Sequence, residues 1–102
     1  MKLKATNILA SLFVCFSLTG QSIVGTVSDC ASGQLLNGAT VKILQTGSVA
    51  ATDNEGRYAF DNLKSGDYTL EFSYIGMKSV KREASTGKRI DVCMEGVPST
   101  LG

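Results

Sequence analysis

The stretch Asp67-Tyr68-Thr69-Leu70-Glu71-Phe72-Ser73-Tyr74 decides the fold, because every second residue is large and apolar while those between are polar. A period of two marks a half-buried antiparallel strand and puts Tyr68, Leu70, Phe72 and Tyr74 on a core face. The same alternation runs through Ile23/Gly25/Val27, Ala39/Val41/Ile43, Tyr58/Phe60 and Ile90/Val92/Met94, and no window of ten residues carries a helical stripe. Turn-forming residues separate these runs: Ser32-Gly33, Asn37-Gly38, Thr46-Gly47, Asp53-Asn54-Glu55-Gly56, Ser65-Gly66, Ile75-Gly76 and Thr86-Gly87. The spacing predicts seven short strands, roughly 23–28, 39–45, 48–52, 57–60, 67–74, 78–83 and 88–94, in an all-β, antiparallel Greek-key β-sandwich. No connection is long enough to hold the helix of a parallel crossover.

Ahead of the strands, Lys2 and Lys4 precede a 12-residue apolar run from Ile8 to Thr19, and Gly20-Gln21-Ser22 offers small residues for cleavage. This is the pattern of a secretory signal peptide over 1–20. A membrane-spanning helix needs about 20 apolar residues, more than this run supplies. Lipid attachment at Cys15 fits poorly, since Val14 stands where a small residue is wanted and Phe16 and Leu18 continue the apolar run. The expected organisation is a signal peptide, one sandwich domain over 21–96 and a flexible tail over 97–102. The expected location is the periplasm or the outer-membrane-associated cell surface, with no membrane span in the mature domain.

Composition narrows the chemistry. The chain has 102 residues, no His, no Trp, and three Cys, of which Cys15 lies inside the signal. Imidazole base catalysis, Ser-His-Asp and Cys-His triads and His-ligated metals are thereby absent, and Cys30 and Cys93 alone cannot complete a four-Cys zinc site. Setting aside Lys2 and Lys4 from the 10 basic residues leaves 8 against 9 acidic ones, a net charge of −1 that gives no reason to expect a nucleic-acid partner. No cofactor is expected.

Five segments then carry a resemblance: 23–29 (IVGTVSD), 33–41 (GQLLNGATV), 52–58 (TDNEGRY), 66–70 (GDYTL) and 73–77 (SYIGM). In this order and spacing they resemble the carboxypeptidase regulatory-like domain, over about 23–94. The resemblance implies a transthyretin-like (prealbumin-like), Ig-like sandwich. The version containing Ser73-Tyr74-Ile75-Gly76 is similar to the domain that precedes the plug of SusC/RagA-type TonB-dependent outer-membrane receptors. Leu35 and Asn37 depart from the prolines that family often has there, and a receptor's plug and barrel lie outside these residues. Transport is therefore not carried over, and the chain is expected to be a free-standing domain or a fragment of a larger product.

Several residues stand out as candidates. Asp53 and Gly56 bound a turn, Asp53 accepting backbone hydrogen bonds and Gly56 taking a positive φ. The adjacent oxygens of Asp53, Asn54 and Glu55 also invite a calcium reading, but they lack the spaced ligands of a calcium loop, and a structural turn is the preferred reading. Gly76 is expected to permit a tight turn or close packing. Cys30 and Cys93 either form a disulfide across about 60 residues or remain two separate thiols; sequence supplies no Cα distance, and separate thiols are the favoured reading.

Lys78, Lys81, Arg82, Lys88 and Arg89 put five of the remaining positive charges within 12 residues, on what reads as the hairpin joining the last two strands, with Glu83 opposing them. They form either a docking face for an acidic surface or for envelope phosphate groups, or a charged edge that prevents strand-to-strand aggregation, and the charged edge is the preferred reading. The functional expectation is a non-catalytic accessory or interaction module of the cell envelope, with an envelope protein or a glycan as partner. The alternatives are a carbohydrate-binding module, which would need an exposed aromatic platform, and an adhesin or stalk domain similar to the Cna B-type repeats, although no Asn follows Asn62 to form their isopeptide bond.

Overall fold

The computed structural model describes residues 21–97, so the expected signal peptide and residues 98–102 of the expected tail lie outside the described residues. Seven strands follow one another: β1 (Gln21–Asp29), β2 (Thr40–Ile43), β3 (Val49–Ala51), β4 (Arg57–Leu63), β5 (Asp67–Ser73), β6 (Val80–Ser85) and β7 (Val92–Met94). They form two sheets, β4-β1-β7 and β3-β2-β5-β6, packed as a sandwich. The alternation along each strand becomes the core. Ile23, Val27, Tyr58, Phe60, Val92 and Met94 from one sheet meet Val41, Ile43, Leu70, Phe72 and Ala84 from the other. Tyr58 and Phe72 touch edge-on across the gap, ring centres 5.6 Å apart, a favoured aromatic geometry. Tyr68 and Tyr74, at the two ends of the deciding strand, are only partly buried against this core.

The structure corrects the sequence reading of the last two strands in three ways. First, β6 begins at Val80 rather than 78 and runs to Ser85. Second, β6 and β7 are not a hairpin: β6 is an edge of the four-stranded sheet, and β7 is an edge of the other. Third, β7 runs parallel to β1, pairing Val27 with Val92 and Asp29 with Met94, so the sandwich is not wholly antiparallel. The connection explains the direction. Gly87 N–H donates to the Ser22 carbonyl at 2.8 Å, which brings the chain back to the beginning of β1 before β7 starts. A strand that starts beside the start of its neighbour is parallel to it.

The β1–β7 pairing is interrupted at Ile90. Its N–H donates to the Val24 carbonyl at 2.9 Å, and in a regular parallel ladder its own carbonyl would then accept from Thr26 N–H. Instead that carbonyl turns inward and accepts a hydrogen bond from the Tyr58 hydroxyl at 2.7 Å. The Asp91 carboxylate stands in for it, accepting from Thr26 N–H at 2.9 Å and Thr26 Oγ1 at 3.1 Å. The inward turn requires Gly25. A Cβ there would fall on the Ile90 carbonyl, with the carbonyl carbon at 2.6 Å and the Tyr58 hydroxyl oxygen at 2.8 Å. Burial first, and the neighbouring Asp91 carboxylate second, push the Tyr58 phenol above its ordinary pKa, so it remains a protonated donor.

Two substitutions test this junction. Gly25→Ala should destabilise by about 3 kcal/mol or more, because the obstacle is backbone. Tyr58→Phe, which keeps the ring and strands the Ile90 carbonyl, should cost about 1–3 kcal/mol. Chemical denaturation of each variant measures both; Gly25→Ala as stable as the parent would mean that Ile90 does not turn inward.

Candidate docking site

The five expected basic residues do not form one face. Arg89 lies beside β1, bridged through Val24, and its guanidinium pairs with Asp91 at 3.0 Å. Partial desolvation works against the Asp91 charge, but hydrogen bonds from Arg89 and Thr26 outweigh it and hold the carboxyl below its ordinary range. Lys88 is exposed in the turn after β6, its N–H donating to the Ser85 carbonyl at 3.1 Å. Lys78, Lys81 and Arg82 are gathered at the opposite end of β6, where among the described residues none of them pairs with a carboxylate.

These three residues line an open groove of about 410 Å³ between the β6 edge and the β7 edge. One end is tied shut where Lys78 N–H donates to the Glu95 carbonyl at 2.8 Å and Val97 N–H to the Gly76 carbonyl at 3.1 Å. Val97, read as the first residue of a flexible tail, is thus anchored. The other wall carries Cys30 and Cys93, which are bonded to each other, their Cα atoms 4.8 Å apart. This corrects the favoured reading of two separate thiols. Cys30 lies just beyond the last β1 residue paired with β7, and Cys93 is paired with Ser28, a proximity that no sequence spacing reveals. Glu95 also lines the groove, so Glu83 is not the sole opposing charge; Glu83 accepts from Thr69 Oγ1 at 3.3 Å.

The turn residues have structural partners. Asp53 Oδ1 accepts from the backbone N–H of Glu55 at 2.8 Å and of Arg57 at 2.9 Å, and Arg57 closes on the Asp53 and Glu55 carboxylates at 3.2 and 2.9 Å. Backbone hydrogen bonds from Arg57 and Glu55 lower the Asp53 pKa. Its carboxylate is therefore engaged by the turn itself. Gly56 has φ +71° and also approaches β1, where a Cβ would lie 2.7 Å from the Val27 carbonyl oxygen. Gly76 has φ +79° with open space around it, so the tight turn, not close packing, requires it.

A second open cleft, of about 470 Å³, is lined by Val24, Gly25, Ala50, Asp53, Arg57 and Arg89 among others. Both of its guanidinium groups are paired, whereas among the described residues the cations of the β6 groove make no ion pair, although Glu95 lines the same groove. Among the described residues, no group of three or more Cys, Asp or Glu is placed to hold a metal ion. The aromatic rings that a sugar platform would use are turned inward, Tyr58 fully and Tyr68 and Tyr74 in part. Sequence reasoning missed Thr52, whose buried hydroxyl donates to the Leu36 carbonyl at 2.6 Å and accepts from Ala39 N–H at 2.8 Å. It also missed Asp91 and the inward role of Tyr58. The only available signal was a lone Asp alternating with Ile90 and Val92.

Comparison with known proteins bears on the same segment. The family profile of the carboxypeptidase regulatory-like domain matches residues 22–95. The chain belongs to this family. A TonB-dependent receptor of Formosa agariphila is 38% identical over 84 residues, covering 82% of this chain and 8% of the receptor. The TonB-dependent transporter Oar of Myxococcus xanthus is 35% identical over 88 residues, covering 79% of this chain and 8% of the transporter. This regulatory-like domain thus spans about a twelfth of the curated relatives it matches. Among solved structures it is similar in fold to the minor pilin GBS52 of Streptococcus agalactiae, with a TM-score of 0.62 and 14% identity over 82% of this chain and 48% of the pilin. It is similar likewise to the C-terminal domain of the shaft pilin spaA of Lactobacillus rhamnosus GG, with a TM-score of 0.63 and 11% identity over 78% of this chain and 99% of that domain.

Two outcomes follow for the site's frame. Replacing Cys30 and Cys93 together by Ala should lower stability by about 4 kcal/mol in the chain-entropy view of a bridge with a sequence separation of 63. Denaturant titration against the oxidised parent reads the loss; an unchanged midpoint would deny the bridge a stabilising role. For Asp91, a native pKa below the ordinary 3.8 means stabilisation that is fully present above that value and lost as pH falls beneath it. The stability gap between the parent and Asp91→Asn should therefore be widest near neutrality and narrow on acidification below about pH 4, as thermal unfolding across a pH series would show.

Proposed function

We propose that this chain is a non-catalytic interaction module of the cell envelope, related to the corresponding domain of TonB-dependent receptors, and that it docks a partner through the groove beside β6. The carrying observation is the gathering of Lys78, Lys81 and Arg82, without carboxylate partners among the described residues, along a strand edge that borders an open groove. The export pattern over 1–20 supports an envelope location, as does a disulfide, since such bonds persist in oxidising compartments. The relatives' names point to a receptor setting. Binding rather than catalysis suits residues that offer charge and backbone but no imidazole.

The test is capture from envelope extracts of the source organism by the full chain, exported and tagged. Two variants accompany it, Lys78→Glu/Lys81→Glu/Arg82→Glu and Lys88→Glu. A partner held by the parent and by Lys88→Glu, but lost from the folded triple variant, is the expected result. Equal capture by all three would return the charges to a solvated edge, and capture by none would leave a spacer.

A further inference from the structure

Among the described residues the route of the chain leaves two strand edges uncovered side by side, the outer edge of β6 and the outer edge of β7. They are held together at Lys78 and Glu95 and border the groove beyond that point. An uncovered strand edge presents a row of unpaired N–H and C=O groups, a template for one more strand. On β6 a cation stands on each face, with Glu83 following Lys81 on the outer one, and the Arg82 guanidinium donates to the Lys81 carbonyl at 3.0 Å. Arg82 stands opposite Leu70 in the register and so lies on the core-facing side of β6, between Val80 and Ala84, yet it is exposed. Lys81 stands opposite Glu71 and lies on the outer side.

That arrangement discriminates among incoming strands. A second copy of this edge brings Glu83 as well as Lys81 and Arg82, and so offers mixed charge, while a neutral strand leaves Arg82 without a carboxylate. An acidic strand gains backbone hydrogen bonds and charge pairing at once. Because successive side chains of an added strand point to opposite faces, neighbouring carboxylates can meet Arg82 on one side and Lys81 on the other.

We propose that the β6 edge takes an extended acidic polypeptide segment by strand addition, extending the β3-β2-β5-β6 sheet by one strand. The proposal rests on the docking reading above and names the chemistry of its partner. An anionic lipid surface or polysaccharide would answer the charge but make no use of the backbone edge.

The probe is a capped, fluorescent octapeptide of threonine, valine and four glutamates, with a second version N-methylated at alternate backbone amides. Methylation keeps the charge and removes the strand hydrogen bonds. With the exported, disulfide-bonded full chain, the unmodified peptide should bind saturably and slow amide hydrogen exchange over residues 80–85, and the methylated peptide should not. Lys81→Glu/Arg82→Glu should weaken binding by about tenfold or more. Lys81→Gln/Arg82→Gln, the gentler pair, should weaken it less while keeping the parental melting temperature. Equal binding of both peptides, equal protection of β6 by dextran sulfate or by vesicles containing phosphatidylglycerol, or no saturation at millimolar peptide would overturn strand addition. Any of these outcomes alongside partner capture from envelope extracts would overturn the strand mechanism alone and leave the docking reading standing; absence of capture would remove the docking reading whatever the peptide does.

Discussion

The structure depends on a single misdirected carbonyl. At Ile90 the backbone gives up a regular ladder bond, turns its oxygen into the space that Gly25 leaves empty and meets the Tyr58 hydroxyl there. A buried carbonyl without a donor costs about 1–3 kcal/mol, so the turn is tolerable only because Tyr58 answers it and the Asp91 carboxylate replaces it at Thr26. Residues from β1, from β4 and from the segment before β7 are thus tied at one point. The three-stranded sheet is held there, and the disulfide between Cys30 and Cys93 holds it again at its far end.

This closure shapes the surface around β6. By carrying the chain from the edge of one sheet to the edge of the other, residues 86–91 split a group of cations that lie within 12 residues of sequence. Arg89 is drawn into the closure and neutralised by Asp91, while Lys78, Lys81 and Arg82 stay behind on β6. The remaining charges border a groove whose other wall is the disulfide. A sandwich of this kind is common to proteins with unrelated roles, as its likeness to pilin domains shows, so the fold itself says little about activity. Among the described residues the β6 edge has no neighbouring strand, and it carries Lys81 and Arg82 beside Glu83.

Much was legible in the alternation of residues. The deciding strand appears as β5 with its inner residues Leu70 and Phe72 fully buried, and the glycines read as turn positions all adopt positive φ. Both signals are local: side-chain period is set by the pleat, and turn chemistry by the residues that form the turn. The family resemblance was legible for the same reason, since its motifs are turns and strand starts. The start of β6 and the extent of β7 were not. At the β6 edge one side of the ladder is missing and alternation is weak, as in Lys81-Arg82-Glu83, whereas β7 alternates in sequence but its ladder is broken where the Ile90 carbonyl turns away.

The sequence by itself determined the strand content, the positions of the turns, the composition of the core and the chemistries that a chain without histidine cannot perform. Only the tertiary structure decided that β7 runs parallel to β1, that Cys30 meets Cys93 and that Lys78, Lys81 and Arg82 part company with Lys88 and Arg89. The physical reason is range. Pleat and turn preferences act over a few residues, whereas the direction of a last strand depends on where the rest of the chain has left an open edge. That opening exists only once β1 and β4 have paired and the Ile90 carbonyl has found its place over Gly25.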